Sequence, residues 1–371
     1  MPQPPTAATA DDADDADGMD FVETWTAEAS QTSYVNDVAY AEIDAHPAVV
    51  AVADGTVTVW DLESGEPLTR SPDAHADLVC VAVTQSAGKP VAVTGDMDGR
   101  IQVWDLIRGA APHGDPLTML DGRVHAVAAT PGLGRGLALI ARGAGATSTV
   151  YSVPVADQTV EVWDLAARKR LRALNHGGYT DSVALGESGA RAVAVASASF
   201  SASPLIDPSD QESRVFLWDL ETGDLIGEPL EPAREGDPID SVAVGDVAGR
   251  TIVVGVCSGR LHVWERGELR PGAWIPDSDR TAFVAWGGTA DRPLVLASGG
   301  GDPRRPDRRS WLGIWDPQDW RLLARTEPGF GSLQRFAPAP GGRVILPWGR
   351  SVKVLRCVPS KGDPGPLDKL S

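Results

Sequence analysis

Residues Gly95–Leu106 read GDMDGRIQVWDL, and the last four letters of this stretch return along the chain. The string VWDL also begins at Val59 and at Val162, and the near-copy LWDL begins at Leu217. These copies are too far apart to reflect a helical period. They indicate an internal repeat in which each copy is one supersecondary unit.

Six tryptophans mark the copies: Trp60, Trp104, Trp163, Trp218, Trp264 and Trp315. Successive copies are 44, 59, 55, 46 and 51 residues apart, and a seventh, SVKVLRC, has Leu355 in the tryptophan position. β-Branched and small residues alternate before each tryptophan, as in TVTVW and RIQVW, while Gly, Asp and Pro stand at the strand ends. Alternation with a period of two between turn residues is typical of short antiparallel strands.

Each repeat is long enough for four strands, with the tryptophan on the third. Such units predict an all-β fold, a seven-bladed β-propeller of four-stranded antiparallel blades. In the seventh blade we predict strands near Ser332–Ala337, Arg343–Pro347 and Ser351–Cys357, followed by a segment too rich in Pro and Gly to continue the sheet. Its fourth strand must come from elsewhere. Phe21–Ala27, a strand-like segment before the first blade, would fill this place and close the ring.

The repeat resembles the WD40 repeat family. In the fullest copies an aspartate precedes the tryptophan by six residues and a histidine stands before the first strand, as in DAHADLVCVAVTQSAGKPVAVTGDMDGRIQVWDL. The resemblance covers about Phe21 to Val358, with seven copies in register. It implies a stand-alone propeller whose ring is closed by an N-terminal strand. An arginine bias among the basic residues is typical of a GC-rich bacterial genome.

The family pattern implies a buried hydrogen-bonded tetrad. In this family the indole N–H meets a Ser or Thr hydroxyl on the second strand, and a His and the turn Asp complete the chain. The resemblance maps the tetrad onto Trp104, Thr94, His75 and Asp98. These residues are expected to hold neighbouring blades together, not to act as a catalytic Ser-His-Asp set. The aspartate stands only in the first three copies; the fourth has Glu212, and the last three have Ser258, Arg309 and Gly349, so that apolar packing must suffice there.

Charge and motifs exclude several function classes. The 371 residues carry a formal net charge of −18, which repels phosphate backbones and anionic lipid, so we expect neither nucleic acid nor membrane as a partner. No phosphate-binding loop, zinc-protease motif or nucleophile elbow occurs, and the six histidines are dispersed. We therefore expect no cofactor, no metal and no catalytic residue, and a monomer in isolation.

Cysteine usage and the first residues bear on the compartment. Cys80, Cys257 and Cys357 are far apart and form no CxxC pair, which favours reduced, buried thiols. The chain starts without the basic and apolar regions of a signal peptide, and it contains no run of 18 apolar residues. A cytoplasmic location is the resulting expectation.

Composition divides the chain into three parts. Residues 1–18 are rich in Asp and poor in large apolar side chains, so we predict a disordered acidic leader. Its run DDADDAD lacks the Gly and Glu of a calcium-binding loop, which favours a solvated charge run over a cation site. Residues 19–358 are the predicted propeller, and residues 359–371 a flexible tail.

Three of the predicted turns between second and third strands are long. They cover about Arg142–Asp157, Ser197–Ser213 and Gly299–Ser310. Antiparallel order places all such turns at one end of the ring, the top face. Long loops on a rigid scaffold are common recognition sites, although neutral insertion explains them nearly as well.

The third of these loops, GGGDPRRPDRRS, is locally basic. Its arginines are Arg304, Arg305, Arg308 and Arg309. Guanidinium groups bind carboxylate or phosphate in a bidentate manner, so the loop is a candidate site for an acidic or phosphorylated protein or peptide, with Trp348 as an aromatic anchor on the same rim. The alternative is that the arginines pair with acids such as Glu235 and Asp237, and that Trp348 belongs to the core.

Two function classes follow from these observations. The first is a non-catalytic interaction scaffold, or a sensor or regulatory subunit, that binds its partner at the top face. The second is an enzyme of hydrolase, lyase or cyclase type that uses the mouth of the central channel. Titratable side chains with shifted pKa values converging on a well-formed pocket at that mouth would favour the enzyme.

Overall fold

The computed structural model describes most of the chain in fourteen ranges. They are residues 19–72, 77–119, 124–130, 136–142, 159–188, 191–200, 212–232, 237–257, 260–265, 268–270, 283–289, 292–302, 305–329 and 335–359. Every regular element within them is a β-strand, and the strands form seven antiparallel sheets arranged as a propeller. The predicted all-β, seven-bladed fold is confirmed.

The strands are numbered in chain order. Strand β1 (Met19–Glu28) precedes the first blade but belongs to the last. The first blade contains β2 (Asp37–Ile43), β3 (His46–Ala53), β4 (Thr56–Asp61) and β5 (Pro67–Arg70). The second contains β6 (Leu78–Ser86), β7 (Lys89–Asp96), β8 (Arg100–Asp105), β9 (Ala111–Pro112) and β10 (Thr118–Met119). The third contains β11 (Val124–Thr130), β12 (Leu137–Arg142), β13 (Thr159–Asp164) and β14 (Lys169–Asn175).

The remaining blades follow the same order. The fourth contains β15 (Tyr179–Ser188), β16 (Arg191–Phe200) and β17 (Glu212–Asp219). The fifth contains β18 (Ile239–Val247), β19 (Arg250–Cys257), β20 (Arg260–Glu265) and β21 (Glu268–Arg270). The sixth contains β22 (Phe283–Thr289), β23 (Arg292–Asp302), β24 (Arg305–Trp315) and β25 (Leu322–Gly329). The seventh contains β26 (Ala337–Ala339), β27 (Arg343–Trp348) and β28 (Ser351–Pro359), together with β1.

Two blades depart from four full strands at their outer edge. In blade 2 the outer strand is split, because β9 and β10 both pair with β8. In blade 4 the outer position is represented by two isolated bridges, Val215 to Leu230 and Trp218 to Leu225. The inner three strands are paired along their length in both blades, apart from one bulge in each first strand, so the propeller's core is unaffected.

Strand β1 closes the ring. It pairs with β28 in antiparallel register from Met19 opposite Pro359 to Glu28 opposite Ser351. The seventh sheet therefore has the order β1, β28, β27, β26. This confirms the predicted closure, with a longer closing strand than the expected Phe21–Ala27. The first strand of this blade, β26, begins at Ala337, the last residue of the predicted Ser332–Ala337, of which residues 332–334 lie outside the described ranges.

The turns explain how such short strands reverse. Between β3 and β4 the two central residues, Asp54 and Gly55, have φ values of 49° and 69°. Positive φ at both positions belongs to the type I′ turn, whose twist matches that of the paired strands. The Asp-Gly pair in the sequence is therefore sufficient reason for this hairpin.

The core is divided into seven apolar clusters, one between each pair of neighbouring blades. Each repeat tryptophan lies on the third strand of its blade and packs in the cluster shared with the preceding blade. Trp60, for example, packs with Ile345 and Val354 of blade 7, and Trp104 packs with Val50 and Val59 of blade 1. The six indoles are 1–7 % exposed. The repeated tryptophan thus fills the gap between two sheets.

One predicted loop is largely regular structure. Gly299–Ser310 was expected to be an elongated loop, but β23 and β24 extend into it and pair as far as Asp302 opposite Arg305. Only residues 303–304 at its tip lie outside the described ranges. The predicted blade 4 loop is likewise shortened by pairing of Phe200 with Glu212. Most of the predicted blade 3 loop, residues 143–157, lies outside the described ranges.

Candidate functional site

The first strands of the blades contact one another in a closed inner ring around the channel. In blades 2 to 5 these strands have a bulge close to their start, where one extra residue interrupts the register. The extra residues are Val79, His125, Asp181 and Asp240. Since the bulges lie at the same level on neighbouring blades, polar groups from blades 3, 4 and 5 meet at the channel mouth on the top face.

Hydrogen bonds connect neighbouring blades just below this mouth. Asp37 Oδ2 accepts the backbone N–H of Val81 at 2.9 Å, which joins blades 1 and 2. Ser241 Oγ accepts the backbone N–H of Val284 at 3.1 Å, which joins blades 5 and 6. Ser182 Oγ does the same for blade 5. A buried backbone donor left unpaired would be costly, so these side chains stabilise the inner ring.

Arg335 links three blades at the mouth. Its Nη1 donates to Asp37 Oδ2 of blade 1 at 3.0 Å, and its Nη2 donates to the carbonyl of His125 in blade 3 at 3.1 Å. Burial raises the pKa of Asp37, while Arg335 and two backbone N–H groups oppose this effect. Burial alone would lower the pKa of Arg335, but the Asp37 carboxylate and, to a smaller extent, Cys80 oppose this effect, and the pKa is raised. Asp37 and Arg335 therefore form an ion pair across the ring in which each side chain stabilises the charge of the other.

Asp181 and Asp240 form a pair of carboxyl groups at the same mouth. Ser199 Oγ donates to Asp181 Oδ1 at 3.3 Å. Burial raises the pKa of Asp181 to about 7, and the neighbouring Asp240 adds to this effect. Burial also raises the pKa of Asp240 to about 6. His125 Nε2 donates to the backbone carbonyl of Asp181 at 2.9 Å, so that ring nitrogen carries a proton.

His176 is a neutral histidine beside the start of blade 4. Its Nδ1 accepts the backbone N–H of Gly178 at 3.2 Å, so Nε2 carries the proton and donates to Thr180 Oγ1 at 2.9 Å. The ring packs against Trp218. Burial lowers the pKa of His176 to about 4. The arrangement uses the histidine as a fixed structural group.

The implied tetrad is only partly within the described ranges. Trp104 Nε1 donates to Thr94 Oγ1 at 2.8 Å in the interior of the protein. The Asp98 side chain is exposed, and the buried acid of this turn is Asp96, which accepts the backbone N–H groups of Asp98 and Arg100. His75 lies outside the described ranges. The structure thus brings Trp104 and Thr94 together, and the four-residue tetrad stays a prediction.

Other repeat tryptophans find other hydrogen-bond acceptors. In blade 3 the residue equivalent to Thr94 is Ile140, and Trp163 Nε1 donates instead to Glu161 Oε2 at 2.8 Å. The other oxygen of this buried carboxylate pairs with Arg170 at 2.9 Å. In blade 5, Trp264 Nε1 donates to the carbonyl of Glu231. The acceptor varies because the indole position is set by packing between the sheets.

The predicted partner-binding residues fall on blades 6 and 7. Arg305, Arg308 and Arg309 lie on β24, and Arg304 lies outside the described ranges. Trp348 ends β27, which places it on the top face; its half-buried ring packs against the cluster between blades 6 and 7. Lys353 Nζ lies 4.5 Å from the centre of that ring. A cation over a half-buried indole is compatible both with a role of Trp348 as an aromatic anchor for a partner and with a role in the core.

Cys80, Cys257 and Cys357 are buried and form no disulfide bond, and burial raises the pKa of Cys357 to about 12. A groove of about 370 Å³ lies on the side of the ring between β1 and blade 1, away from the channel mouth. Within the described ranges, no three His, Cys, Asp or Glu side chains are grouped to hold a metal ion, and no helix has the length and apolarity to cross a membrane.

Comparison with known proteins adds no family assignment. Neither the protein-family models nor the curated proteins contain a match to this chain. The fold defines the class of protein: a seven-bladed β-propeller with a geometry compatible with that of WD40 proteins.

A pattern in the sequence indicates some of the residues at the channel mouth. The strings NDVAYA, VHAVAA, TDSVAL and IDSVAV all stand at the start of first strands, and each has Asp or His at its second position, followed within two residues by Val. Aligning them puts Asp37, His125, Asp181 and Asp240 at one position. Arg335 had no such signal, because its partner Asp37 is 298 residues away.

Proposed function

We propose that this protein belongs to the WD40 repeat family and is a non-catalytic interaction scaffold or regulatory subunit. Its partner is an acidic or phosphorylated protein or peptide bound at the top face. The observation that carries the proposal is the blade 6 hairpin. Strands β23 and β24 have 11 residues each, against 8 and 6 for β7 and β8 in blade 2, and the extra length projects from the top face.

The chemistry of this hairpin supports an anionic partner. Four of the twelve residues from Gly299 to Ser310 are arginine, in a chain with a net charge of −18. A local positive hairpin on a negative protein attracts and orients an acidic partner, while the remaining surface repels it. Trp348 on the neighbouring blade supplies an aromatic side chain of the type enriched in binding hot spots.

Family membership is supported by three features. A tryptophan on the third strand packs against the preceding blade in six of seven repeats. Trp104 donates to a threonine hydroxyl on the second strand. The ring is closed by β1, a strand from before the first blade. All three match what the resemblance to WD40 repeats implies.

A second candidate function is favoured by the carboxyl groups at the channel mouth. Asp181 and Asp240 have pKa values raised to about 7 and about 6, a range suited to general acid–base catalysis at neutral pH. Chromogenic ester, phosphate and glycoside substrates test for such an enzyme. Turnover that disappears in Asp181→Asn would favour this function over the scaffold.

The test of the scaffold is a pull-down from lysate of the native host. Replacing Arg304, Arg305, Arg308 and Arg309 together by Ser should abolish recovery of the partner without changing the thermal melt. A control replaces two well exposed arginines at the opposite end of the ring by Ser: Arg108, in the turn after β8, and Arg191, the first residue of β16. This control should bind like the wild type.

Two outcomes distinguish the versions of the proposal. Loss of binding after phosphatase treatment of the lysate would identify a phosphorylated partner, and unchanged binding an acidic one. If the quadruple variant recovers the same partner with the same salt sensitivity as the wild type, the blade 6 hairpin is not the recognition element.

A further inference from the structure

The groove between β1 and blade 1 has a buried tryptophan as its floor. It has a volume of about 370 Å³ and is lined mainly by residues of β1, β4 and β5. Trp60 is 2 % exposed and packs in the cluster between blades 7 and 1, and its side chain forms the inner side of the groove. Ligand pockets in proteins start at about 300 Å³, so this groove has the size for a small metabolite.

The groove is open because the residue two positions before this tryptophan is small. Thr58 lies on the same face of β4 as Trp60, since side chains two residues apart in a strand share a face. In blade 6 this position is Gly313, where a Cβ atom would lie 2.5 Å from the ring of Trp315, so the indole itself occupies the space. In blades 3 to 5 a larger side chain there contacts the indole. The residues at this position in blades 2 to 5 are Gln102, Glu161, Phe216 and His262.

Two hydrogen-bond donors share the wall that blade 1 forms. Thr58 on β4 is directly opposite Arg70 on β5 in the strand register, so their side chains are neighbours on one face. Both residues line the groove. Within the described part of the chain neither side chain forms a hydrogen bond or an ion pair, although Arg70 interacts electrostatically with Asp54. The hydroxyl and the guanidinium are therefore available to bind a carboxylate.

The opposite wall carries a negative charge. Glu28 is the last residue of β1, and Arg70 is the last residue of β5. Both strands are the outer strands of their blades and run toward the top face, so the two charged residues lie at the same end of the groove. Glu28 is exposed and forms no ion pair with any described residue. The groove thus presents one positive and one negative side chain that are not paired with each other.

The rest of the lining is largely apolar. Ala27 and Ala29 come from the side of blade 7, and Pro67 and Leu68 come from β5. Leu68 is the extra residue of a bulge in β5, and 53 % of it is exposed. An apolar group in the groove would remove part of this leucine from water, which favours binding in proportion to the area covered.

We propose that this groove binds a free α-amino acid with an apolar side chain. Arg70 and Thr58 bind its carboxylate, Glu28 binds its ammonium group, and its side chain packs against Leu68 and Trp60. A zwitterion matches both charges of the groove, whereas a simple anion or cation matches one charge and is repelled by the other. The proposal is independent of partner binding at the blade 6 hairpin.

The test is a titration of the full chain with L-leucine and L-phenylalanine at pH 7.0, followed by ligand-observed NMR. A ligand of roughly ten non-hydrogen atoms in an open groove is expected to bind with a dissociation constant on the order of 1 mM. The N-acetyl derivative of the tighter ligand lacks the ammonium group, and its amide lacks the carboxylate. Each derivative should bind at least roughly fivefold more weakly than the amino acid, because one charged contact is lost.

Three variants test the proposed contacts one by one. Arg70→Gln should weaken binding of the amino acid at least roughly fivefold and leave binding of the amide unchanged. Glu28→Gln should have the same effect on the amino acid and leave binding of the N-acetyl derivative unchanged. Thr58→Gln, which gives blade 1 the side chain of blade 2, should fill the groove and weaken binding of all three ligands. Arg108→Gln and Glu187→Gln change exposed residues away from the groove and should bind like the wild type.

The exposed positions keep the proposal falsifiable. Arg70→Gln and Glu28→Gln should keep the melting midpoint of the wild type, so they test the site whether or not Thr58→Gln perturbs the fold. Wild-type affinity of both variants for the amino acid, or no binding of either amino acid up to about 20 mM, overturns the proposal. Equally tight binding of the doubly blocked N-acetyl-L-leucinamide also overturns it and indicates a site for the interior of a peptide.

Discussion

The indole of Trp25, on the closing strand β1, donates its Nε1 proton to the backbone carbonyl of Leu62 in blade 1 at 2.8 Å. The strand that completes blade 7 is therefore also fastened to blade 1, across the joint of the ring. Gly65 permits this contact, because a Cβ atom there would lie 2.9 Å from the indole, and its φ of 72° favours glycine in any case.

Removing the closing strand should destabilise the protein far more than removing the residues before it. Deletion through Ala27 exposes the edge of β28 and breaks the Trp25 contact, whereas deletion of residues 1–18 leaves β1 complete. Chemical denaturation measures both truncations against the full chain. Coinciding unfolding midpoints of the two truncations would contradict closure by β1.

Trp104→Ala should lower the free energy of unfolding by about 3–5 kcal/mol, as expected for removal of a fully buried aromatic side chain. Thr94→Val should cost about 1–3 kcal/mol, because it leaves the buried indole N–H unpaired. If the implied tetrad exists, His75→Ala should cost more than a surface substitution. Urea denaturation of the three variants checks these values, and wild-type stability of His75→Ala would remove that residue from the tetrad.

Arg335→Met should destabilise the ring by about 3 kcal/mol, because it leaves the Asp37 carboxylate buried without its partner. The double variant Arg335→Met, Asp37→Asn should recover part of this loss. A double-mutant cycle from denaturation at pH 7 measures the coupling. Additive effects of the two single changes would show that the two side chains do not act as a pair.

His176 should make stability fall with acidification. Its pKa is lowered to about 4 in the fold from 6.5, so the unfolded chain binds the proton more readily. The contribution is complete above pH 6.5 and is lost as the pH falls toward 4, by about 3 kcal/mol at most. Comparing unfolding free energies of His176→Gln and wild type across this range isolates the effect. His46→Gln, at an exposed histidine, is the control, and an identical pH slope in all three proteins would contradict the prediction.

The repeat was readable from sequence because it rests on local chemistry. The Asp54–Gly55 turn and the alternation around Trp60 report backbone twist and burial within a few residues, and seven copies reinforce one another. Ring closure could be predicted by counting strands. Blade 7 has three strands of its own instead of four, and Phe21–Ala27 is a strand-like segment that belongs to none of the repeats. These parts of the fold were predictable without any tertiary information.

The channel mouth was not predictable in the same way. Asp37 and Arg335 meet only after the ring has closed, and the raised pKa values of Asp181 and Asp240 result from burial that no local pattern encodes. The prediction of an irregular loop at Gly299–Ser310 was wrong for most of the segment, for a related reason. Its Gly and Pro content resembles a loop, yet pairing between β23 and β24 overrides this local preference.

Closure by β1 also means that the ribosome makes this strand long before it makes the strand with which it pairs. The partner of this strand, β28, is more than 300 residues further along the chain, so β1 must wait unpaired for roughly 15–70 s at ordinary translation rates of about 5–20 residues per second. A waiting strand is an aggregation hazard. Glu23 and Glu28 lie within it, and charges inside a strand act as gatekeepers against pairing with other chains. After closure the Glu23 carboxylate forms a salt bridge with Lys353 of β28, with 2.9 Å between Oε2 and Nζ. The same side chain thus disfavours pairing of the nascent strand with other chains and later stabilises its pairing with β28.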